Sequence, residues 1–139
     1  MKTQSIFDLA SRLRDAGNAY IVSELEQAGL TDIAPSHGIV LQQLFASGPL
    51  NMSDLARNAR RSKSTLTVLV AKLEKAGYVE RMPDSEDSRG IKVRLTQKGL
   101  GLKPAFHSIS EGLQNIILKN LTEEEATRLE ELLAKCLAS

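Results

Sequence analysis

The amino-acid sequence predicts a mainly α-helical protein that contains one small β-hairpin. Apolar residues recur at helical spacing in about six segments of the 139-residue chain. Residues 78–82 and 91–95 instead read as two β-strands, and turn-forming residues separate them. Two short helical segments with a brief polar turn come directly before this hairpin. Two helices, a tight turn and a hairpin in that order indicate a winged helix-turn-helix.

The length and composition limit the classes of protein to consider. A chain of 139 residues can form one domain, and because only 4% of its residues are aromatic, the core must be mostly aliphatic. No uninterrupted apolar stretch approaches the roughly 18 residues of a spanning helix, and the N-terminus lacks the pattern of a signal peptide. The single cysteine, Cys136, cannot form an internal disulfide. We therefore expect a cytoplasmic protein with no membrane partner.

The N-terminal third is expected to form two helices. Residues 4–28 repeat apolar positions at helical spacing over an unusual length. Pro35 suits the first position of a second helix, which ends before Pro49. Ser36 and His37 then lie in its first turn, where free backbone N–H groups favour an anion such as a phosphate. For His37, a partly buried neutral ring is an equally good interpretation.

The next two helices form the helix-turn-helix. Asn51 is a suitable N-cap for the first helix, and Ser62, with Thr65 at the third helical position, is a suitable N-cap for the second. Residues 58–61 are small or basic and leave room for the sharp turn between them. Four apolar residues of the second helix fall on one stripe that should face the core: Leu66, Leu69, Val70 and Leu73.

The opposite face of this second helix has short side chains in its middle and lysines at both ends. It consists of Lys63, Ser64, Thr67, Val68, Ala71, Lys72 and Lys75. A nucleic-acid backbone can approach such a face closely. Taken alone, the pattern also fits an ordinary amphipathic helix with a solvated face. The preceding helix and the following hairpin favour DNA recognition.

The hairpin provides the wing of the predicted fold. Gly77 ends the second helix, and residues 83–90 form a tip rich in turn-forming residues. Arg89 at this tip is suited to a narrow, electronegative minor groove. Asp87 is close enough in sequence to orient Arg89 through a charge-assisted hydrogen bond. A surface loop with a local ion pair is the alternative interpretation.

The C-terminal third continues the helical pattern. Thr96 is expected to cap one long helix that extends to about Leu121, with a kink or irregular first turns at Pro104. Thr122 and Glu125 form a capping box for a final helix.

The two terminal regions contain more apolar surface than one small winged domain can cover. Left exposed, that surface would form a large patch, which usually marks an interface. We therefore expect a homodimer in which residues 1–30 and 99–139 supply the dimerisation helices and residues 31–98 form the winged helix-turn-helix. Two-fold symmetry would place two reading helices about one duplex turn apart, facing a pseudo-palindromic operator.

Positive charge is concentrated in the segment proposed to contact DNA. The whole chain has a formal net charge of +1, but residues 50–103 contain twelve basic and six acidic residues. The segments on either side are net acidic. Because phosphate neutralisation gives sequence-independent affinity, this distribution favours local contact with DNA over general coating of polyanions.

Three features of the chain are typical of a known family: the order of its helices, the segment SKSTLTVLVAKLEKAGYVER and the wing sequence DSEDSRGIKVRLTQKG. In these features the chain resembles the MarR family of transcriptional regulators. The resemblance implies dimeric winged-helix proteins that bind double-stranded DNA, mostly as repressors, and that in many cases leave it when a small aromatic ligand binds. It implies that Arg89 is the wing-tip arginine and Asp87 its orienting partner. It also implies major-groove contacts by Ser62, Lys63, Ser64, Thr65 and Thr67.

Two positions depart from the family pattern. Val68 stands where many relatives have a basic or polar base-reading residue, and a valine can make only apolar contacts, for example with a thymine methyl group. The peroxide-sensing branch of the family has a cysteine near the N-terminus, whereas Cys136 lies in the last helix, where we expect packing rather than sensing. The candidate DNA-binding residues are Ser36, Arg61, Ser62, Lys63, Ser64, Thr65, Thr67, Val68, Lys72, Asp87, Arg89 and Lys92.

No motif in the sequence indicates an enzyme. The chain contains no HExxH, Gly-rich phosphate loop, CxxC or nucleophile elbow. The two histidines, His37 and His107, have no second metal-type ligand at standard spacing, so we expect neither a metal nor a cofactor. A dimeric winged-helix module that contacts proteins instead of DNA is the alternative function. Replacement of Arg89 by alanine would distinguish the two.

Overall fold

The computed structural model describes residues 3–86 and 90–138. In chain order, its elements are α1 (Thr3–Gln27), a 3₁₀ turn (Pro35–His37), α2 (Gly38–Ser47), β1 (Leu50–Asn51), α3 (Met52–Ala59), α4 (Lys63–Lys75), β2 (Val79–Pro83), β3 (Ile91–Leu95), α5 (Gln97–Leu100), α6 (Lys103–Leu118) and α7 (Glu123–Leu137). In these ranges α5 is a single turn, and each of the other six α-helices has at least eight residues. The predicted fold class, mainly helical with a small hairpin, is confirmed.

α1 is the long N-terminal helix that the sequence predicts. It ends where Gly29 adopts a φ of 77°. The N–H of Leu30 donates to the carbonyl of Leu25 at 2.8 Å, and the N–H of Gly29 donates to the carbonyl of Glu26 at 3.0 Å. These two bonds satisfy carbonyls that the last helical turn would otherwise leave free. The second helix begins with the 3₁₀ turn at Pro35 and continues as α2.

α3 and α4 form the helix-turn-helix. Asn51 Oδ1 accepts the N–H of Asp54 at 2.8 Å, and Ser62 Oγ accepts the N–H of Thr65 at 3.1 Å, so both predicted N-caps are confirmed. The four apolar residues predicted for the inner stripe of α4 are all buried. They belong to one core with buried residues of the other elements, including Leu41, Leu44, Leu55, Val79 and Val93.

The strands form a three-stranded antiparallel sheet in the order β1-β3-β2. β2 pairs with β3 from Val79 opposite Leu95 to Pro83 opposite Ile91. β1, which the sequence analysis did not predict, pairs two residues with the other side of β3. A strand of two residues has no alternation of its own. β2 begins one residue later than predicted, because the N–H of Tyr78 still bonds to the last turn of α4.

The prediction of a single long helix after the wing is wrong, because the segment forms two helices, α5 and α6. Thr96 does cap the first, since its Oγ1 accepts the N–H of Gly99 at 3.2 Å. α5 ends at Leu100 with Gly101 as its C-cap, and Pro104, which has no N–H for an intrahelical bond, lies in the first turn of α6. A Cβ on Gly99 would overlap the carbonyl oxygen of Tyr78, so α5 packs directly against the backbone that follows α4.

α7 begins with the predicted capping box. Thr122 Oγ1 accepts the N–H of Glu125 at 3.1 Å, and Glu125 Oε1 accepts the N–H of Thr122 at 3.0 Å. Although the cap is complete, none of the residues of α7 is buried.

The terminal helices leave a continuous apolar surface exposed. α1, α6 and α7 border an open groove of about 660 Å³, whose lining includes Leu9, Leu13, Ile117 and Leu133. Within α1, Phe7 is 75% exposed. Across the described residues, no helix is both long enough and apolar enough to span a membrane.

Candidate nucleic-acid interface

The outer face of α4 is presented to solvent because the inner stripe of the helix is fixed in the core. The predicted contact residues at this helix are all exposed: Arg61, Ser62, Lys63, Ser64, Thr65, Thr67, Val68 and Lys72. They lie on one helix and on the turn that enters it. The structure therefore brings these predicted residues together on one accessible surface, which we call the α4 face.

Hydroxyl groups at the start of the α4 face are held by local hydrogen bonds. Ser62 Oγ lies 2.8 Å from Thr65 Oγ1 and 3.1 Å from Ser64 Oγ. Thr67 Oγ1 donates to the carbonyl of Lys63 at 2.8 Å. Such bonds fix the side chains in one orientation and occupy the hydroxyl of Thr67 as a donor. The exposed groups beyond them are the lysines and the apolar Val68.

The turn between α3 and α4 contains two consecutive arginines. Arg60 has a φ of 54°, the left-handed conformation that glycine favours. Its side chain is exposed, as is that of Arg61. Arg61 Nη1 lies 3.4 Å from the carbonyl oxygens of Ala59 and of Arg60, so this guanidinium turns back towards its own loop. The sequence pattern predicted Arg61 as a contact residue, whereas Arg60 was expected only to form part of the turn.

The predicted anion site at the start of α2 is only partly present. Ser36 is exposed, but His37 is buried, and its Nδ1 accepts the N–H of Ala34 at 2.9 Å. Burial, and next the positive charge of Lys72, lower the pKa of His37 from its ordinary 6.5, while Asp32 opposes them. A buried neutral ring, the alternative interpretation, therefore describes His37. The ring caps its own helix instead of facing a ligand.

The C-terminal end of α4 is anchored by two other segments, the α1–α2 loop and α5. Gly77 follows the helix with a φ of 86°. The hydroxyl of Tyr78 donates to Asp32 in the α1–α2 loop at 2.8 Å, and burial, followed by this bond, raises the pKa of Tyr78 to about 12. Lys98 Nζ donates to the carbonyl of Ala76 at 2.6 Å and lies 4.5 Å above the Tyr78 ring. The C-terminal end of α4 is thus fixed relative to the α1–α2 loop and α5.

At the wing, the structure places Lys92 at the base of the hairpin. Lys92 Nζ lies 3.9 Å from Oδ1 of the buried Asp84, and the N–H of Asp84 donates to the carbonyl of Gly90 at 3.1 Å. These contacts close the hairpin and leave Lys92 half-buried. The two remaining predicted residues, Asp87 and Arg89, lie outside the described residues.

Several cations near the sheet already have acidic partners. Arg94 Nε lies 2.7 Å from Glu80, and Arg81 Nε lies 3.3 Å from Glu74. Within residues 3–86 and 90–138, by contrast, the ion pairs include no lysine of α4. The α4 face therefore offers positive charge that the described part of the protein does not neutralise. In the same ranges, no three potential metal-binding side chains are grouped together.

A small cavity lies between the winged region and the terminal helices. It has a volume of about 180 Å³, and its lining includes Leu25, Pro35, Gly38, Phe106 and Ile109. On one wall, Gln42 Nε2 donates to Ser110 Oγ at 3.3 Å. The surface of this cavity is otherwise mainly apolar.

The sequence matches known transcriptional regulators. The MarR family model matches residues 33–91. The chain is 35% identical to the HTH-type transcriptional regulator SarZ of Staphylococcus haemolyticus, over 58% of this chain and 54% of SarZ, and so spans about half the length of that relative. It is 31% identical to the multiple antibiotic resistance protein MarR of Escherichia coli, over 76% of this chain and 74% of MarR.

The fold matches solved MarR structures over nearly the whole chain. A mutant MarR from Escherichia coli in complex with operator DNA has a TM-score of 0.84 at 25% identity, covering 96% of this chain and 94% of its own. A MarR transcriptional regulator from Methanosarcina mazei has a TM-score of 0.81 at 27% identity, covering 97% and 98% respectively. The winged-helix architecture predicted from the sequence is confirmed.

Proposed function

Because this chain belongs to the MarR family, whose proteins are transcription regulators and not enzymes, we propose that it is a sequence-specific DNA-binding transcriptional regulator. It binds a pseudo-palindromic operator as a homodimer and represses by occupying the promoter. It acts in the cytoplasm, where it has access to chromosomal DNA. The relative solved with operator DNA, whose fold this chain shares, supports DNA as the ligand.

The α4 face is the observation that carries this proposal. It contains short side chains together with exposed lysines that have no ion-pair partner among the described carboxylates. Its helix is capped at the N-terminus by Ser62 and anchored at the C-terminal end by Lys98. Lysines near both ends of the face supply phosphate affinity, while side chains in its middle reach base edges. Ser36 at the start of α2 and Arg89 in the wing would add contacts on either side.

The apolar groove formed by α1, α6 and α7 supports the homodimer. An exposed apolar surface of this extent favours association, and burial of side chains such as Leu9 and Leu13 would stabilise a second copy placed against it. In this arrangement, residues 1–30 and 99–139 join the subunits and residues 31–98 contact DNA. A two-fold axis then sets the distance between the two α4 helices.

The small cavity supports release by a small aromatic ligand. At about 180 Å³ it is comparable with the roughly 150 Å³ cavity that holds benzene in another protein, so a single ring fits. It lies between α1, α2 and α6, so a ligand there would shift the winged region relative to the dimerisation helices. Because the operator fixes the half-site spacing, even a small shift would weaken both half-site contacts together. Titration of single-ring aromatics into the operator complex tests this step.

Lys63→Glu provides a direct test of the α4 face. Lys63 is the first residue of α4, where a glutamate favours the helix but repels phosphate. We expect the variant to keep its thermal unfolding midpoint and to lose operator binding in a gel-shift titration. Lys103→Glu is the matched control, since Lys103 is also exposed and is the first residue of α6, and it should bind normally. Unchanged operator binding by Lys63→Glu would favour a role in protein contacts instead.

A further inference from the structure

Three helices of this protein end with the same hydrogen-bond pattern. After α1 and after α4, the residue in the left-handed conformation is a glycine, Gly29 with a φ of 77° or Gly77 with a φ of 86°. After α3, the N–H of Arg61 donates to the carbonyl of Ala56 at 3.1 Å, and the corresponding left-handed residue is Arg60, with a φ of 54°. The chain thus uses glycine at two of these three positions and arginine at the third.

Arginine is an unfavourable choice for this backbone conformation. The left-handed region brings Cβ close to the following carbonyl oxygen, which glycine avoids because it has no Cβ. Asparagine, aspartate and histidine are the side-chain types enriched there, and arginine is not among them. Strained backbone conformations persist only where the surrounding structure holds them, and they cluster at functional sites.

The surroundings of Arg60 indicate what its side chain offers. It is exposed in the turn that leads into α4, two residues before the N-cap Ser62. Its neighbour Arg57 forms an ion pair with Asp54, and the guanidinium of Arg61 turns back to carbonyls of the turn. In the described part of the chain, no ion pair or side-chain hydrogen bond engages the Arg60 guanidinium. It remains available to an external anion beside the N-terminus of α4.

We propose that Arg60 contacts a phosphate of the bound duplex, and that the left-handed backbone after α3 is retained because it presents this guanidinium to DNA. The inference rests on the proposed function. Arginine supplies a planar, permanently charged group that can hold a phosphate through two hydrogen bonds. A glycine at this position would relieve the backbone and remove that contact.

Arg60→Gly is therefore expected to lower DNA affinity without lowering stability. The midpoint of urea unfolding should equal or exceed that of the wild type, since the left-handed conformation suits glycine. Operator affinity should fall roughly tenfold or more, the effect of losing a charge-assisted hydrogen bond. The slope of log affinity against log salt concentration should decrease by about 0.9 for each bound subunit, because one phosphate contact is lost.

Two further variants separate a phosphate contact from a change in the turn. Arg60→Asn tolerates the left-handed conformation and also removes the charge, so it should reproduce the decrease in salt slope. Arg57→Gln removes the neighbouring arginine, which is already paired with Asp54, and should leave the salt slope unchanged. A mere loosening of the turn would lower affinity without altering that slope.

Either of two results would overturn the assignment of Arg60. One is wild-type affinity and salt slope in Arg60→Gly. The other is a lower unfolding midpoint in that variant with an unchanged salt slope, which would give Arg60 a structural role. A wild-type protein that binds no duplex at all would overturn the proposed function as well, so the two failures are distinguishable.

Discussion

Val68 is a large apolar side chain that α4 leaves 55% exposed. The hydroxyl of the adjacent Thr67 donates to the carbonyl of Lys63 at 2.8 Å. Because that hydroxyl is already used as a donor, the methyl groups of Val68 are the main atoms that this part of the α4 face offers to a base. The thymine methyl is the apolar feature of the major groove, so we expect thymine in the operator opposite Val68.

Removal of that methyl group from the operator should weaken binding. Uracil in place of the thymine deletes one methyl, whose burial contributes about 0.8 kcal/mol, or roughly fourfold in Kd. Val68→Ala should lose most of this discrimination between thymine and uracil. Fluorescence anisotropy titrations with matched duplexes measure both effects. Equal wild-type affinity for every thymine duplex and its uracil counterpart would contradict the assignment.

Burial favours the neutral form of the His37 ring. Burial first, and the charge of Lys72 second, lower its pKa, and its neutral Nδ1 accepts the N–H of Ala34. In the unfolded chain the ordinary pKa of about 6.5 applies. Between the two values, the unfolded state binds more protons than the folded state. This contribution to stability is therefore complete above about pH 6.5 and is lost as the pH falls towards the folded pKa.

His37→Gln should reduce the pH dependence of stability in that window. Wild-type free energy of unfolding, measured with urea, should decrease between about pH 7.5 and pH 5.5 by more than that of His37→Gln. His107→Gln is the control, because the His107 side chain is 74% exposed and lies beside Glu111 on α6. It should follow the wild type. Identical pH profiles for the wild type and His37→Gln would show that burial does not suppress protonation of this ring.

At the residue scale, the sequence predicted features that depend on near neighbours. The N-caps Asn51 and Ser62 and the capping box at Thr122 each need only the next three residues. The sequence did not indicate the left-handed conformation of Arg60, because the residue that usually marks this conformation is a glycine. The burial of His37 depends on the packing of elements distant in sequence. The sequence alone therefore could not distinguish a buried neutral ring from a ring that faces an anion.

α4 is the element on which the proposed DNA recognition depends, and contacts from outside the helix hold its C-terminal end. Tyr78 joins it to Asp32 before α2, and Lys98 of α5 donates to its last turn. These contacts connect the α4 face to both the N-terminal region and the segment after the wing. A helix that is already fixed loses less conformational entropy when it binds DNA.

Lys72→Ala should weaken binding to all duplexes by a similar factor. Lys72 lies on the α4 face, and none of the described ion pairs includes it. Loss of one phosphate contact should reduce the salt slope by about 0.9 for each subunit without changing the preferred sequence. Arg94→Ala removes a cation that Glu80 already pairs at 2.7 Å, and it serves as the control. A changed base preference in Lys72→Ala would assign this residue to base reading instead.

At the element scale, the sequence predicted the identity of the long elements better than their ends. α1, α4 and β3 occur where the periodicity placed them. β1 was missed because its two residues acquire strand geometry only through pairing with β3. The division between α5 and α6 was missed because apolar residues continue through it, although Gly101 and Pro104 mark the point.

At the scale of the whole molecule, two surfaces of different character are kept apart. The α4 face is basic and exposed, whereas the groove of α1, α6 and α7 is apolar and holds about 660 Å³. The charge segregation in the sequence predicted the first surface, and the apolar excess of the terminal regions predicted the second. If a second copy of the chain covers the groove, the two α4 faces become a pair with a fixed spacing.

The central claim is that two chains bind one operator through their two α4 faces. It is tested most directly by selecting bound duplexes from a random pool and measuring the stoichiometry of the selected complex. We expect two inverted half-sites whose centres lie one duplex turn apart, about 10 to 10.5 base pairs, with two protein chains on each duplex. Enrichment of a single half-site bound by one chain, or a pool that gains no common sequence, would contradict it.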